Sequence, residues 1–254
     1  MEYFVAQGSV VREIWGKADT VLFIFAGAAA EFALNKAVDW LYFTGKLPAD
    51  PLARLFSTVD YARQIVFAER PAAEKAIDTI AAIHGAVEAK RGMAIPDWAY
   101  RDVLFLLVDY SIRSFEVLER PLSSPEKAEI YDTFRRVGGR MGVPGLPPSY
   151  HQWLPIRQQH LVQNLEHSRF TADLYQQYRK HLGALRYELL LQAQRLVVPP
   201  RVRKLLKLGH RTWLPLLLPL YRQTQHLAVS KWAKAGLLPA AYKDRIMALD
   251  YHPT

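Results

Sequence analysis

The chain has 254 residues, of which 50% are hydrophobic, and a formal net charge of +9. This composition can bury a large core and excludes a disordered chain, and the absence of cysteine excludes disulfides, thiolate metal sites and a cysteine nucleophile. The N-terminus lacks the pattern of a secretory signal, and the longest apolar run, Val21–Ala30, is too short to cross a bilayer. We therefore expect a cytoplasmic protein that is soluble or peripherally attached to a membrane.

Helical periodicity runs through almost the whole sequence. It predicts an all-α fold, with a single domain over residues 1–254 and about ten helices around an apolar pocket. The Gly- and Pro-rich stretch Gly142–Pro148 is the clearest internal break. In chain order, the predicted helices are Lys17–Thr44, one that begins at Asp50-Pro51, one from Pro71 to Gly92, Pro96–Leu118, one capped by Ser124-Pro125-Glu126 that ends near Met141, Tyr150–His167, Ala172–Val198, Val202–Gly209 and Gln225–Ala235.

The first long helix carries a line of polar residues. Glu31, Asn35 and Asp39 are four residues apart, so they share one helix face. Three aligned polar groups on a helix with such an apolar start can line a cavity, or they can be the solvated face where the helix emerges. The spacing alone favours the solvated face.

The helix from Pro71 to Gly92 carries a histidine within an apolar stripe. Ile77, Ile80, His84 and Val87 are spaced three, four and three residues apart. The spacing predicts that the His84 imidazole points inward, where it must be hydrogen-bonded or must bind a metal or heme iron. From the residues alone, a hydrogen-bonded core histidine is the stronger interpretation.

Two further sets of polar residues have helical spacing: a series of charged residues and a pair of histidines. Asp109, Arg113, Glu116 and Arg120 form a ladder of alternating charge on the next apolar helix. His160 and His167 are seven residues apart, which places their side chains roughly 10 Å apart along a helix, too far for one metal ion without convergence. The remaining histidines have polar or basic neighbours and are predicted to face solvent: His151, His181, His210, His226 and His252.

The C-terminal part of the chain is strongly basic. Residues 199–254 contain ten Arg or Lys residues and only two acidic ones, mixed with leucine and tryptophan. The simplest interpretation is a solvated basic face, and the alternative is contact with an anionic membrane surface. Specific nucleic-acid binding is not expected, because no nucleic-acid-binding motif accompanies the charge.

Several local patterns, in this order, resemble the MpaB-type oxygenase family, which includes the catalytic domain of rubber oxygenase (latex-clearing protein). Each piece is weak alone, and their order and spacing make the resemblance specific over most of the chain. The matching pieces are Ala33–Val38, Ala49–Leu55, Ala82–Val87, Leu107–Asp109 with Phe115-Glu116, Arg120–Ser123, Tyr131, Gly142–Pro144 with Leu146-Pro147, and Ala235–Pro239.

The resemblance implies a heme b-dependent oxygenase that uses dioxygen on an apolar, isoprenoid-like substrate. It implies His84 as the heme-iron ligand and catalytic residue, Asn35 as a hydrogen-bond donor in the same pocket, and Asp109 and Arg113 as residues that hold the neighbouring helix in place. The sequence departs from the family pattern at two histidines. The histidine of Leu-Ala-His-Pro is Asn35 here, and the histidine five residues before the Val-Asp aspartate, the expected proximal ligand, is Leu104.

Three hypotheses follow from these departures. In the first, heme binds with His84 as the remaining axial ligand. In the second, the fold keeps its cavity, has lost heme and carries an apolar ligand without catalysis. In the third, another histidine, His151 or His160, replaces the missing ligand.

Overall fold

The computed structural model describes residues 2–43, 45 and 50–224, without the side chains of 51–56, 217 and 224. The described residues form eleven helices and no strand, which confirms the predicted all-α fold. The helices are α1 (Val10–Trp15), α2 (Ala18–Phe32), α3 (Asp39–Phe43), α4 (Pro51–Phe67), α5 (Arg70–Arg91), α6 (Asp97–Leu118), α7 (Ser124–Arg140), α8 (Tyr150–Gln163), α9 (Arg169–Val197), α10 (Pro200–Leu205) and α11 (Leu214–Thr224).

The centre of the fold is the pair α2 and α6, which packs more extensively than any other pair of described helices. Gly27 makes this close approach possible, because a Cβ atom there would lie 2.2 Å from Cδ1 of Tyr110 on α6. Helix α9 also packs against α2, and α7 packs against α6. The largest buried side chains of the core come from these helices and their neighbours, among them Trp15, Phe105 and Trp153.

Local capping chemistry explains where several helices begin and end. Helix α5 has Pro71 in its first turn and ends at Gly92, which adopts a left-handed conformation, as the sequence predicts. The N-cap of α7 is Ser123, one residue before the predicted cap, because Ser123 and Glu126 form a capping box that needs a three-residue separation. The break predicted at Gly142–Pro148 is confirmed between α7 and α8.

The prediction of one continuous helix over Lys17–Thr44 is wrong. Helix α2 ends at Phe32, residues 33–38 form turns, and α3 begins at Asp39. The Asn35 side chain accepts a hydrogen bond from the backbone N–H of Ala37, and Asn35 pairs with Leu165 in an isolated β-bridge. These tertiary contacts replace the helical hydrogen bonds that the local sequence favours.

The later helices differ from prediction in their limits. Helix α8 ends at Gln163, so His167 lies outside it, and α10 ends at Leu205. Helix α9 covers the predicted Ala172–Val198 segment up to Val197 and contains a kink at Gly183. The predicted helix Gln225–Ala235 lies outside the described residues, as does most of the basic C-terminal segment.

Candidate functional site

A large cavity lies between α2, α4, α5, α6, α7 and α9. Its volume is about 640 Å³, within the range of roughly 300–1,000 Å³ typical of small-molecule sites. Most of the described side chains that line it are aliphatic or aromatic, including Phe23, Ile65, Val103 and Leu189. The cavity can therefore hold an apolar molecule of considerable size.

His84 of α5 is half-buried and lies on the wall of this cavity. Its Nδ1 atom lies 2.8 Å from the backbone carbonyl oxygen of Ile80, and its ring contacts Tyr100 edge-on, with 5.4 Å between ring centroids. A carbonyl oxygen only accepts hydrogen bonds, so Nδ1 carries a proton, and Nε2 is the ring nitrogen that would act as a metal ligand. Metal-ligating histidines usually have this arrangement, with the second ring nitrogen fixed by a hydrogen bond.

Tyr100 also lines the cavity, beside His84. Its phenol donates a hydrogen bond of 3.1 Å to Glu88. Burial and this hydrogen bond raise the pKa of the Tyr100 phenol above its ordinary value. The neutral phenol is therefore the stable form, which disfavours Tyr100 as a phenolate ligand to a metal.

Asn35 and Leu104 line the same cavity as His84. The three positions at which the resemblance implies a histidine therefore lie on the wall of one cavity. The Asn35 amide donates to Asp102 Oδ2 at 2.8 Å, and its oxygen accepts from Ala37 N. Leu104 presents an aliphatic side chain and no ligand atom.

The predicted polar face of Glu31, Asn35 and Asp39 does not exist as a solvated line. Glu31 and Asn35 are buried, which overturns the surface interpretation, and Asp39 pairs with Arg91 at 2.7 Å. Only Asn35 of the three lines the cavity, so the alternative of a polar cavity wall is also wrong for the set. Two physical reasons apply. The helix break at residues 33–38 removes the regular four-residue spacing, and Glu31 is buried because it pairs with Arg157 in the core.

Asn35 belongs to a buried polar cluster that the sequence did not predict. Asp102, 2% exposed, accepts hydrogen bonds from Asn35 and Asn164, and His160 Nδ1 contacts its Oδ1 atom. The four side chains lie on or next to three different helices, so no spacing within one helix indicates the cluster. The cluster ties the turn at residues 33–38 to α6 and to the end of α8.

The remaining histidine hypotheses find no support in the described residues. His160, whose Nδ1 contacts Asp102, and His151, which is exposed, both lie outside the cavity. In this part of the chain, no group of three His, Asp or Glu side chains is arranged to hold a metal ion. A metal site at His160 and His167 and a replacement heme ligand at His151 or His160 are both unsupported.

Asp109 and Arg113 belong to a second buried network, which does not line the cavity. Arg113 Nε donates to Asp109 at 2.6 Å, and Arg157 of α8 contacts the other Asp109 oxygen at 3.1 Å. Arg157 also forms a bidentate pair with Glu31, with both distances 2.6 Å. Arg157 joins α2, α6 and α8 in the core, whereas Arg113 pairs with Asp109 on its own helix.

The charges of this network are balanced within the core. Burial alone would lower the pKa of the Arg157 guanidinium, but the carboxylates of Glu31 and Asp109 more than offset it and raise that pKa. Tyr110 donates to Glu31 at 3.0 Å, and burial and the charge of Glu31 raise the pKa of Tyr110 well above its ordinary value. Arg157 is therefore charged and Tyr110 neutral at physiological pH.

One of three comparisons with known proteins identifies a family for the chain. The family model described as "ER-bound oxygenase mpaB/B'/Rubber oxygenase, catalytic domain" matches residues 14–245. No curated protein and no solved structure matches the chain significantly. None of the described helices has both the length and the apolar character needed to span a bilayer.

Proposed function

Because the chain belongs to the family of mpaB and rubber oxygenase catalytic domains, we propose that it is an oxygenase-like oxidoreductase that binds heme b through His84. Its substrate is an apolar, isoprenoid-like molecule, and its co-substrate is dioxygen. The observation that carries the proposal is the position of His84, which lies on the wall of a large apolar cavity with its Nδ1–H fixed by the Ile80 carbonyl.

The residues present fit a heme in three respects. Because Nδ1 is bonded to the Ile80 carbonyl, Nε2 is the His84 nitrogen that would hold the iron. The cavity volume and its apolar walls suit a large flat macrocycle. Arg186 also lines the cavity, and a guanidinium is the side-chain group that pairs best with carboxylates such as heme propionates.

Bound heme would supply the oxygen chemistry, and the chain's own residues would bind, orient and shield the reactants. The aliphatic and aromatic walls would hold the hydrocarbon substrate by burial of apolar surface and would exclude water. Tyr100, held neutral by Glu88, would pack against the edge of the His84 ring and limit its rotation. Leu104 would leave the cavity without a second histidine ligand.

A hemin titration followed by absorption spectroscopy tests the proposal. Wild-type protein is expected to give a saturable Soret band near 400 nm. His84→Ala is expected to shift or abolish the band, and added imidazole is expected to restore it by occupying the vacated position. His151→Ala, which removes an exposed histidine outside the cavity, is the matched control and keeps the wild-type spectrum.

Circular dichroism separates loss of heme from loss of fold in these variants. His84 is only half-buried, so His84→Ala is expected to keep its helical signal. A folded His84→Ala protein with an unchanged Soret band would remove His84 from the proposed site.

The presence of Leu104 on the cavity wall favours a second candidate function. A cavity with an aliphatic side chain at the position of the expected proximal histidine suits a carrier of apolar molecules without heme. For this function, hemin gives no saturable band while a fluorescent isoprenoid analogue binds with one-to-one stoichiometry. His84→Ala then leaves binding of the analogue unchanged.

A further inference from the structure

We propose that α11 and the residues just before it form a docking surface for anionic lipid bilayers. The apolar part of this surface consists of Trp213, Leu216 and Leu220, whose exposed fractions are 42%, 81% and 59%. Leu216 and Leu220 are one helical turn apart, so they project from the same side of α11. Three large apolar side chains in this arrangement are costly in water and suit insertion among lipid chains.

The other side of α11 is fastened to the body of the protein. Tyr221 donates a hydrogen bond of 2.6 Å to Asp19 on α2. Arg222 donates to the backbone carbonyls of Leu118 at 3.1 Å and Val117 at 2.8 Å, at the end of α6. These bonds fix the orientation of the helix, so its apolar face points outward in a defined direction.

Positive charge lies close to this apolar face along the chain. From residue 195 to residue 224 the chain contains seven Arg or Lys residues and no Asp or Glu. Arg195, His210 and Arg211 line one shallow depression together with Trp213 and Leu216. Glu188 is the acidic residue of that depression among the described residues, and it is paired with Arg195 at 3.1 Å. The depression therefore keeps an excess of positive charge.

The combination of charge and apolar surface identifies the occupant. Phosphates alone, as in a nucleic acid, would be complementary to the cations but would leave Leu216 and Leu220 in water. An anionic bilayer is complementary to both, because lysine and arginine meet lipid headgroups while tryptophan and leucine enter the interface. The surface therefore fits a membrane that contains anionic lipid.

The docking surface adjoins the cavity. Leu214, the first residue of α11, lines the cavity, while Leu216 is exposed two residues later. Docking would therefore bring the cavity close to a reservoir of apolar molecules. This route for substrate rests on the proposed function, whereas membrane binding itself does not depend on heme or on catalysis.

Flotation of the full-length protein with vesicles tests the docking surface. The protein is expected to float with vesicles of phosphatidylcholine mixed with phosphatidylglycerol, weakly or not at all with phosphatidylcholine alone, and less at high salt. Leu216→Asp combined with Leu220→Asp is expected to weaken binding to the mixed vesicles at least tenfold. Lys204→Glu, Lys207→Glu and Arg211→Glu together are expected to weaken it roughly 100-fold.

Matched controls carry the same chemical changes elsewhere on the surface. Val162→Asp with Met93→Asp changes two apolar residues of similar exposure, and Lys75→Glu, Lys90→Glu and Lys180→Glu make the same charge change. Both controls are expected to bind like wild type. The proposal is overturned if the wild type fails to bind or if neutral vesicles bind it equally well. It is also overturned if folded Leu216→Asp/Leu220→Asp protein binds like wild type, because that result would indicate a purely electrostatic surface of the kind that binds nucleic acids. Failure of the hemin titration leaves this outcome unaffected.

Discussion

Arg157 holds two carboxylates in the core, with its side chain 2% exposed. Replacing it with methionine leaves Glu31 and Asp109 buried with less compensation for their charges. We expect Arg157→Met to lower the free energy of unfolding by about 3–5 kcal/mol, the usual effect of breaking a buried ion pair. Urea denaturation followed by circular dichroism measures this loss.

Arg113 provides the comparison for Arg157. It pairs with Asp109 at a similar distance, but its side chain is 34% exposed, so water replaces the lost contact. Arg113→Met is expected to cost less than about 1 kcal/mol. Equal losses in the two variants would contradict the assignment of Arg157 as the stabilising residue of the network.

The sequence predicts the surroundings of a side chain when its neighbours lie on the same helix. The spacing of Ile77, Ile80 and His84 predicts an imidazole near apolar side chains, and in the structure Ile80 and His84 both line the apolar cavity. The contacts of Asp102 with His160 and of Glu31 with Arg157 join different helices. Their partners are 58 and 126 residues apart in the chain, and no pattern within a single helix encodes them.

The kink in α9 depends on a single glycine. Gly183 has φ 72° and ψ 172°, a conformation that only glycine adopts readily. The kink lets both halves of α9 line the cavity, Leu182 before it and Leu190 after it. We expect Gly183→Ala to lower the free energy of unfolding by about 1–3 kcal/mol, measured by urea denaturation.

Gly139 is the matched control for this substitution. It lies inside α7, and a Cβ atom there would meet no heavy atom within 4 Å. Gly139→Ala is therefore expected to be neutral or to stabilise the protein by up to about 1 kcal/mol, because alanine is the better helix former. A Gly183→Ala protein as stable as Gly139→Ala would show that the kink carries no strain.

The capping box of α7 makes a pH-dependent contribution to stability. The hydrogen bonds from Arg120 and from Ser123 lower the pKa of Glu126 to about 2. Since a lowered folded-state pKa stabilises the ionised form, this contribution is present above the ordinary pKa of about 4.5 and is lost as the pH falls towards 2. Solvent screening limits it to less than about 1 kcal/mol.

Glu126→Gln tests this contribution, because glutamine keeps the capping geometry and cannot ionise. The difference in unfolding free energy between wild type and Glu126→Gln is expected to shrink as the pH falls from 5 to 2. Glu129→Gln, on the exposed side of the same helix, controls for loss of one carboxylate. A difference that stays constant over this pH range would contradict the assigned cause.

Helix limits are predictable where their cause is local. Pro71, Gly92 and the Ser-Pro-Glu sequence at the start of α7 mark helix ends because they act on backbone groups within four residues. The end of α2 is different, because Asn35 is held by Asp102 and bridges to Leu165. An end set by distant parts of the chain leaves no capping signal in the local sequence.

Composition and periodicity predict an all-α protein with an apolar interior. They do not specify which helix faces meet, because every apolar stripe has several acceptable partners. The cavity arises from six long helices and from the kink of α9, so its existence depends on packing that only the structure describes. The prediction that His84, Asn35 and Leu104 share one site came from the family resemblance and not from periodicity.

A ligand in a cavity bounded by so many helices should stabilise the entire fold. We expect an isoprenoid alcohol such as farnesol to raise the melting temperature of wild-type protein, with a gain of about 2.7 kcal/mol at a ligand concentration 100 times the dissociation constant. Ala193 of α9 is 8% exposed and lines the cavity, so Ala193→Phe places a ring in the ligand's space.

Ala172→Phe carries the same substitution at an exposed position of α9 outside the cavity. Ala193→Phe is expected to lose the farnesol-induced rise in melting temperature, whereas Ala172→Phe is expected to keep it. Measured by circular dichroism without heme, this comparison reports on occupancy of the cavity alone. If Ala193→Phe folds and retains the full rise in melting temperature, farnesol binds outside the cavity. That result would contradict the cavity as the binding site for an apolar molecule, both for the oxygenase and for the carrier.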